Sequence, residues 1–517
     1  MLLPALSGCL GEPEVLDDLS AALTDGGTSS DGGAPFIWSM SGVHGGGMGQ
    51  VIATDPFNAG RAILGGDSWG IYKTTSAGND WRPATRNNPG QQGDFHFVGV
   101  AYSRKYPGRA YALTGQVGSP NGGFWSITGD ECNLITRAVQ GGENGLDRSD
   151  RPRPSGSRVL IDYDTVTGVE YIYVATGAAG GVKRSTDQGQ TWTTIGLGGQ
   201  SAVLTGLAFA PGNTSSIFVS SRSGAYRIGN ARATASTTKL TAAPPRVEEF
   251  GSIGVNLYAV AHTSGVYRVT NSGKTWTKLG VGFFPTTSEW AAVGGTGSTV
   301  YVGCANPNQG KSIAKSTDNG NTWTWVTSDP SKISIQIWGR SDQWWLAQAV
   351  TRIIIGNSTY EAAQIAVDQF NPQIVYVAGR SGCWKSEDGG GTWRPAVNHL
   401  GGTMHTNIAA GPGGQVGSAV LDWDHITSDD HYYTARQSGP ADYGAVTLDL
   451  TKGGVNYKVV QSIPRDFLRD GVSIADDYFR TACVRAEDID VSDDGDYIYI
   501  AQFGGGVLVG HRGPWPE

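Results

Sequence analysis

Along most of this chain, apolar and polar residues alternate in short runs, and the runs repeat. Clear examples are Val51-Ile52-Ala53-Thr54-Asp55-Pro56-Phe57, Val159-Leu160-Ile161-Asp162, Leu207-Ala208-Phe209-Ala210-Pro211 and Ile365-Ala366-Val367-Asp368-Gln369-Phe370. Each is a period-two stretch running into an Asp or a Pro, as a half-buried strand does when it enters a turn. Similar openings fall near Val98, Val247, Trp290, Val416 and Ala486. After an opening come a turn, an apolar strand, a Gly-rich connection, a strand ending in a base, a tight hairpin and a Trp-bearing strand. The interval is roughly 50 residues, the size of a four-stranded repeat. No stretch has the 3.6-residue periodicity of a long amphipathic helix. About nine such units predict an all-β fold, a β-propeller of radial four-stranded blades. No linker-like composition interrupts residues 36–517, so one continuous propeller domain is expected there.

The hairpin is the most regular part of the repeat. Ser185-Thr186-Asp187-Gln188-Gly189-Gln190-Thr191-Trp192 and Ser316-Thr317-Asp318-Asn319-Gly320-Asn321-Thr322-Trp323 are nearly identical. Ser386-Glu387-Asp388-Gly389-Gly390-Gly391-Thr392-Trp393 follows the same pattern, and weaker copies lie at 270–276 and 75–81. The Asp or Ser oxygen can accept hydrogen bonds from its own turn. The Gly takes a positive φ, and the Thr-Trp pair starts the next strand with a large ring laid over the turn. These stretches resemble the Asp-box repeat of sialidases, sortilin-type receptors and several propeller-shaped glycoside hydrolases. The resemblance implies a fold element rather than an activity, because in those families the hairpin lies away from the active site.

Composition agrees with many turns around a large core: 517 residues with 77 Gly, 16 Trp and only 16% charged residues. The net charge is −8, without a basic stripe, so nucleic acid is not an expected partner. No apolar run reaches the roughly 18 residues of a membrane-spanning helix. Cys9, Cys132, Cys304, Cys383 and Cys483 are scattered without metal-ligand spacing, and no phosphate-binding loop is present. Neither metal nor cofactor is therefore expected. Leu6-Ser7-Gly8-Cys9 looks like a lipobox, which would make the chain a surface lipoprotein, although the segment before it is short and has no Lys or Arg. Residues 1–35 combine an acidic stretch from Glu12 to Leu23 with a Gly/Ser-rich linker. They read as a segment for attachment to a larger protein assembly.

Three stretches narrow the reading. The first runs from Gly45 to Phe57 and through Gly65-Gly66-Asp67-Ser68-Trp69-Gly70-Ile71-Tyr72-Lys73. The second runs from Gly156 to Trp192, and the third from Asn407 to His425 with Leu421-Asp422-Trp423-Asp424. Together they resemble the xyloglucan-hydrolysing, two-propeller glycoside hydrolases, although this chain is shorter than that family's two seven-bladed rings. The resemblance implies an inverting hydrolase with one carboxylate as general base and another as general acid. The base maps onto Asp67. The acid maps onto Ala363, which cannot transfer a proton. Glu361 stands two residues earlier, on the same face of an extended strand, and is the candidate substitute.

Sugar rings present apolar C–H faces, so Trp residues outside the hairpins are candidate stacking platforms: Trp69, Trp125, Trp338, Trp344 and Trp345. His425, Asp429, Asp430 and His431 cluster without metal spacing or a nucleophile. Arg151, Arg153 and Arg158 are too close in sequence to be a sialidase triad drawn from several blades. The reading is an extracellular propeller that recognises polysaccharide, acting in its catalytic form on a β-glucan or exopolysaccharide with Asp67 as base. The alternative is a non-catalytic glycan-binding or structural surface protein, such as a phage tail or virion component.

Overall fold

The computed structural model describes most of residues 49–396 and, outside that span, the strand Phe36–Met40 and strands from His405 onward. Within 49–396, residues 67–70, 80, 85–96, 116–121, 130, 142–156, 178–179, 200–202, 286–287, 305–310, 334–361 and 380–381 are outside the description. Seven four-stranded antiparallel sheets follow one another at 49–83, 97–136, 159–196, 204–239, 247–278, 290–325 and 362–395, here blades 1 to 7. Each blade is a simple meander of four consecutive strands. The first strand of each blade packs against the first strand of the next, and that of blade 7 packs against that of blade 1. The result is a closed seven-bladed propeller, with the first strands lining its axis.

The expectation of about nine blades is corrected to seven. The openings near Val51, Val98, Val159, Leu207, Val247, Trp290 and Ile365 each fall in the first strand of a ring blade. The other two do not. Val416 starts the strand Val416–Val420, which among the described residues pairs with His405–Ala410 in a two-stranded sheet. Ala486 lies in Arg485–Val491, part of a six-stranded sheet in which Phe36–Met40 pairs antiparallel with Gly506–Arg512. Alternation and turn chemistry identify a strand, but they do not say which sheet it joins.

Apolar alternation builds the core between blades. Val51, Ile63 and Ile71 of blade 1 meet Phe97, Val100 and Ala112 of blade 2, and similar clusters join blades 2 to 3, 3 to 4, 4 to 5 and 5 to 6. Because the strands alternate in direction, the ring has two unlike faces. The turns between second and third strands, with the connections into each first strand, make an upper face. The first-to-second turns and the hairpins make the opposite, hairpin face.

The hairpins form as their residues require. Asp187 Oδ1 accepts from the Thr191 amide at 2.9 Å, Oδ2 accepts from the Thr191 hydroxyl at 2.5 Å, and the Gly189 amide donates to Ser185 Oγ at 2.9 Å. Asp318 and Asp388 repeat these bonds with Thr322 and Thr392. Gln188 and Gly189 are both left-handed, at φ 62° and 89°. Gly189 is required for a second reason, because a Cβ there would fall 2.5 Å from the Phe124 ring of the preceding blade. Trp192 crosses that same ring edge-on at 4.9 Å. The hairpin is therefore also a joint between blades.

The base that precedes each hairpin completes the joint. Lys73 Nζ donates to Gly129 O at 2.6 Å, Arg184 Nη1 to Ala231 O at 2.8 Å, Arg268 Nη2 to Asn319 O at 2.5 Å and Lys315 Nζ to Gly389 O at 2.5 Å. In every case the acceptor is a carbonyl in the third-to-fourth turn of the next blade. Lys385 of blade 7 reaches Ala77 O of blade 1 in the same way. The ring thus closes by repeating its ordinary joint rather than by sharing a strand. Closure is reinforced by Gly60 N to Asp368 Oδ2 at 2.7 Å, Gln369 Nε2 to Asp55 O at 3.2 Å and Trp81 Nε1 to Ala396 O at 2.9 Å.

Candidate functional site

The two blade positions onto which the resemblance maps its base and acid follow a second strand and open a first strand, both of which meet the upper face. In blade 1 the second strand, Ala62–Gly66, ends there, and Asp67 is the next residue. Asp67, Trp69, Trp338, Trp344, Trp345 and Glu361 all lie outside the described residues, as do the first 35 residues, Cys9, Cys483, Arg151, Arg153, Asp422, Asp424, His425, Asp429, Asp430 and His431. Ala363 lies in the first strand of blade 7, at a bulge between Ala362, paired with Gly379, and Gln364, paired with Ala378.

Trp125 is not a stacking platform in this structure. It is 4% exposed, packs between blades 1 and 2, and its indole N–H donates to Thr114 Oγ1 at 2.9 Å. A sugar would find no free ring face. Arg158 is likewise a core residue, donating to Gly141 O at 2.8 Å. Cys132, Cys304 and Cys383 are buried free thiols, and burial pushes Cys132 up to about 12, out of the reactive range.

The bulge at Ala363 recurs. Six of the seven blades carry one near the start of the first strand, between Gly49 and Val51, Phe97 and Gly99, Leu204 and Gly206, Val247 and Glu249, Trp290 and Ala292, and Ala362 and Gln364. The residue before the bulge pairs with the last residue of the second strand: Gly49 with Gly66, Val247 with Ala261. These registers make the seven repeats comparable position by position. The place after the second strand is Asp67 in blade 1, Arg222 in blade 4 and His262 in blade 5. The bulge residue is Ala363 in blade 7, Thr205 in blade 4 and Glu248 in blade 5.

Blade 5 therefore brings a histidine and a glutamate together at the two places onto which the hydrolase resemblance maps its base and acid. His262 Nδ1 is 3.8 Å from Glu248 Oε1, and His262 Nε2 is 3.8 Å from Glu289 Oε1. Arg246 Nε bonds Glu248 Oε1 at 2.5 Å. Arg222 of blade 4 adds its charge to the same group. Burial pushes the fully buried Glu248 carboxyl up, and Arg246 pulls the other way. Burial, then Arg246 and Arg222, bring His262 down to about 4, so the imidazole is neutral at neutral pH. Glu248 Oε2 and His262 Nδ1 are both buried and meet no hydrogen-bond partner among the described residues. Buried polar atoms without partners are uncommon and costly. The sequence analysis missed this cluster. Its available signal was Glu248-Glu249, two charges inside a strand opening where the other bulged blades place uncharged residues.

Glu249 has a structural duty. Its Oε2 accepts from Val293 N of blade 6 at 2.7 Å, just as Gln364 Oε1 accepts from Ile52 N of blade 1 at 2.7 Å. Among the described residues, no three His, Cys, Asp or Glu side chains are placed to hold a metal ion. No helix among them is long and apolar enough to cross a membrane.

No protein-family model matches the chain, and no curated protein sequence does. Solved structures do. The GH74 xyloglucanase of Xanthomonas campestris superposes with a TM-score of 0.59 at 15% identity, over 93% of this chain and 75% of that one. The GH74 enzyme of Niastella koreensis gives a TM-score of 0.54 at 18% identity, over 90% of this chain and 71% of that one. At such identities the likeness establishes the propeller fold and leaves the activity to the site.

Proposed function

We propose that this protein is an extracellular, glycan-recognising propeller that binds polysaccharide on its upper face around Asp67. The observation that supports this reading is the packing of blade 7 against blade 1, the two blades onto which the resemblance maps its base and acid. The second strand of blade 1, Ala62–Gly66, ends at the upper face and is followed in sequence by Asp67, and the neighbouring blade 7 bears Ala363 where the resemblance calls for an acid. In this reading, recognition elements implied by the resemblance stand beside a position without a proton donor. Binding without cleavage is the simplest function of such a pair. The two hydrolases of similar fold, one of them a xyloglucanase by name, make a β-glucan or a related exopolysaccharide the first ligand class to try.

Hydrolysis is the second reading. It is favoured by Asp67 in its Gly-Gly-Asp-Ser-Trp-Gly context and requires Glu361 to serve as acid in place of Ala363. Trp69, Trp338, Trp344 and Trp345 are the proposed stacking residues. Residues 1–35 are proposed to attach the propeller to a larger assembly, a cell surface or a virion. The test is a panel of β-glucans and bacterial exopolysaccharides, with binding and product release measured in parallel. Binding without shortening supports the first reading. Shortening that depends on Asp67 establishes the second. Neither binding nor shortening rejects both.

A further inference from the structure

We infer that the Glu248–His262 pair of blade 5 is a second subsite on the upper face, one that takes a neutral sugar hydroxyl. The inference rests on the glycan-binding reading above and extends it to residues of another blade. Three observations converge. Glu248 and His262 occupy the repeat positions that correspond to Ala363 and Asp67. The pair is built rather than incidental: Glu248 is fully buried on a strand bulge and fixed through Oε1 by Arg246, while Ser220 Oγ donates to its main-chain carbonyl at 3.0 Å. One atom on each side chain, Oε2 and Nδ1, is left without a partner.

The chemistry of the vacant atoms selects the ligand. A carboxylate oxygen accepts, a neutral imidazole nitrogen donates or accepts according to its tautomer, and a hydroxyl can serve both at once. The two arginines whose charge reaches the group, Arg246 and Arg222, are matched by the two carboxylates Glu248 and Glu289, so no surplus positive charge calls for a uronate or phosphate. The imidazole is 14% exposed, and Arg246 and Glu289, at 22% and 26%, are the more exposed groups beside the pair. The pair cannot be the acid missing at Ala363. Two blades separate blade 5 from blade 1 by the shorter path, and packed sheets lie about 10 Å apart. An inverting pair needs its carboxyls about 6.5–9.5 Å apart. The role that fits is grip on a chain lying across the ring.

The experiment measures affinity of the full chain for a neutral β-glucan oligosaccharide and for a uronate-bearing one, in wild type, Glu248→Gln, His262→Gln and the double variant. Thermal midpoints are followed alongside. Each single change is expected to weaken the neutral ligand about tenfold. The double change is expected to weaken it little further, because both residues hold one hydroxyl. Folded variants that bind like wild type would overturn the subsite and leave glycan binding by the upper face standing. Selective loss of the uronate ligand would overturn the hydroxyl assignment. A wild type that binds neither oligosaccharide would overturn the subsite together with the reading it rests on. Should Glu248→Gln lower the midpoint through its contact with Arg246, His262→Gln, which keeps that contact, decides the matter alone.

Discussion

Lys385 of the last blade donates a hydrogen bond to the Ala77 carbonyl of the first, across 308 residues of sequence. Its ammonium is fully buried and also meets Asn79 Oδ1 at 2.9 Å and Glu387 Oε1 at 2.7 Å. One side chain thus ties a hairpin to the blade beside it and, at this place only, ties the end of the ring to its beginning.

Lys385→Met keeps the stem and removes the bonds. Hydrogen bonds to charged groups contribute about 1.5–3 kcal/mol, and the abandoned acceptors lose a buried partner. Denaturant unfolding should show a loss in that range. Lys239→Met, on an exposed edge strand, should change stability by less than about 0.5 kcal/mol. Equal effects would mean that Lys385 is not a strut.

Asp187→Ala removes the acceptor of both Thr191 bonds and of the Ser185 hydroxyl. The site is at the surface, so the loss should be roughly 1 kcal/mol. Glycan affinity should not change once the variant is folded, since the hairpins lie on the face opposite the one proposed to bind glycan. A variant of unchanged melting temperature that no longer binds would make the hairpin a site.

Glu249→Gln reproduces what blade 7 already does with Gln364. In the wild type, burial raises the Glu249 carboxyl well above its ordinary 4.5, with the Val293 amide opposing. A group raised on folding supports stability below its unfolded value and loses that support as pH climbs toward its folded one. Wild-type stability should therefore decline as pH rises from about 4.5. The amide variant should flatten that decline and equal or exceed wild type at pH 7. A variant less stable than wild type at pH 7 would show that the charged form has a partner of its own.

Asp67→Asn separates the two functional readings. If the protein hydrolyses its glycan, loss of the general base should lower turnover by at least about a hundredfold, since such groups contribute 10²–10⁴. Glu361→Gln should do the same. Oligosaccharide affinity should move less than tenfold in both, because stacking survives. Turnover that is measurable in wild type and unaffected by Asp67→Asn would remove Asp67 from the chemistry.

What was legible in the sequence was local. The first strands of all seven blades could be placed by their short apolar runs, four of which lead into an Asp or a Pro, at Asp55, Asp162, Pro211 and Asp368. The hairpins could be read because Ser185, Asp187, Gly189 and Trp192 satisfy one another within eight residues. The bases at Lys73, Arg184, Arg268 and Lys385 were visible as a pattern but not as struts, since each acceptor lies in another blade. Trp125 looked available because nothing near it in sequence occupies it, and Thr114 does so across a strand pair. The Glu248–His262 pair depended on the registers of blade 5, which set a strand bulge beside a turn fourteen positions away. Asp67 and Glu361 were legible only through resemblance to a family.

The joint at Lys385 and Ala77 has a consequence for chain architecture. Six of the seven blade-to-blade joints are crossed by the polypeptide and the seventh is not, yet that seventh carries the same strut as four of the others. Where the backbone is cut should therefore matter little to the ring. Circular permutation of 49–396, with its natural ends joined by a short linker and new termini opened between two other blades, should give back the same propeller. The position of the break would then be an accident of ancestry rather than a requirement of folding.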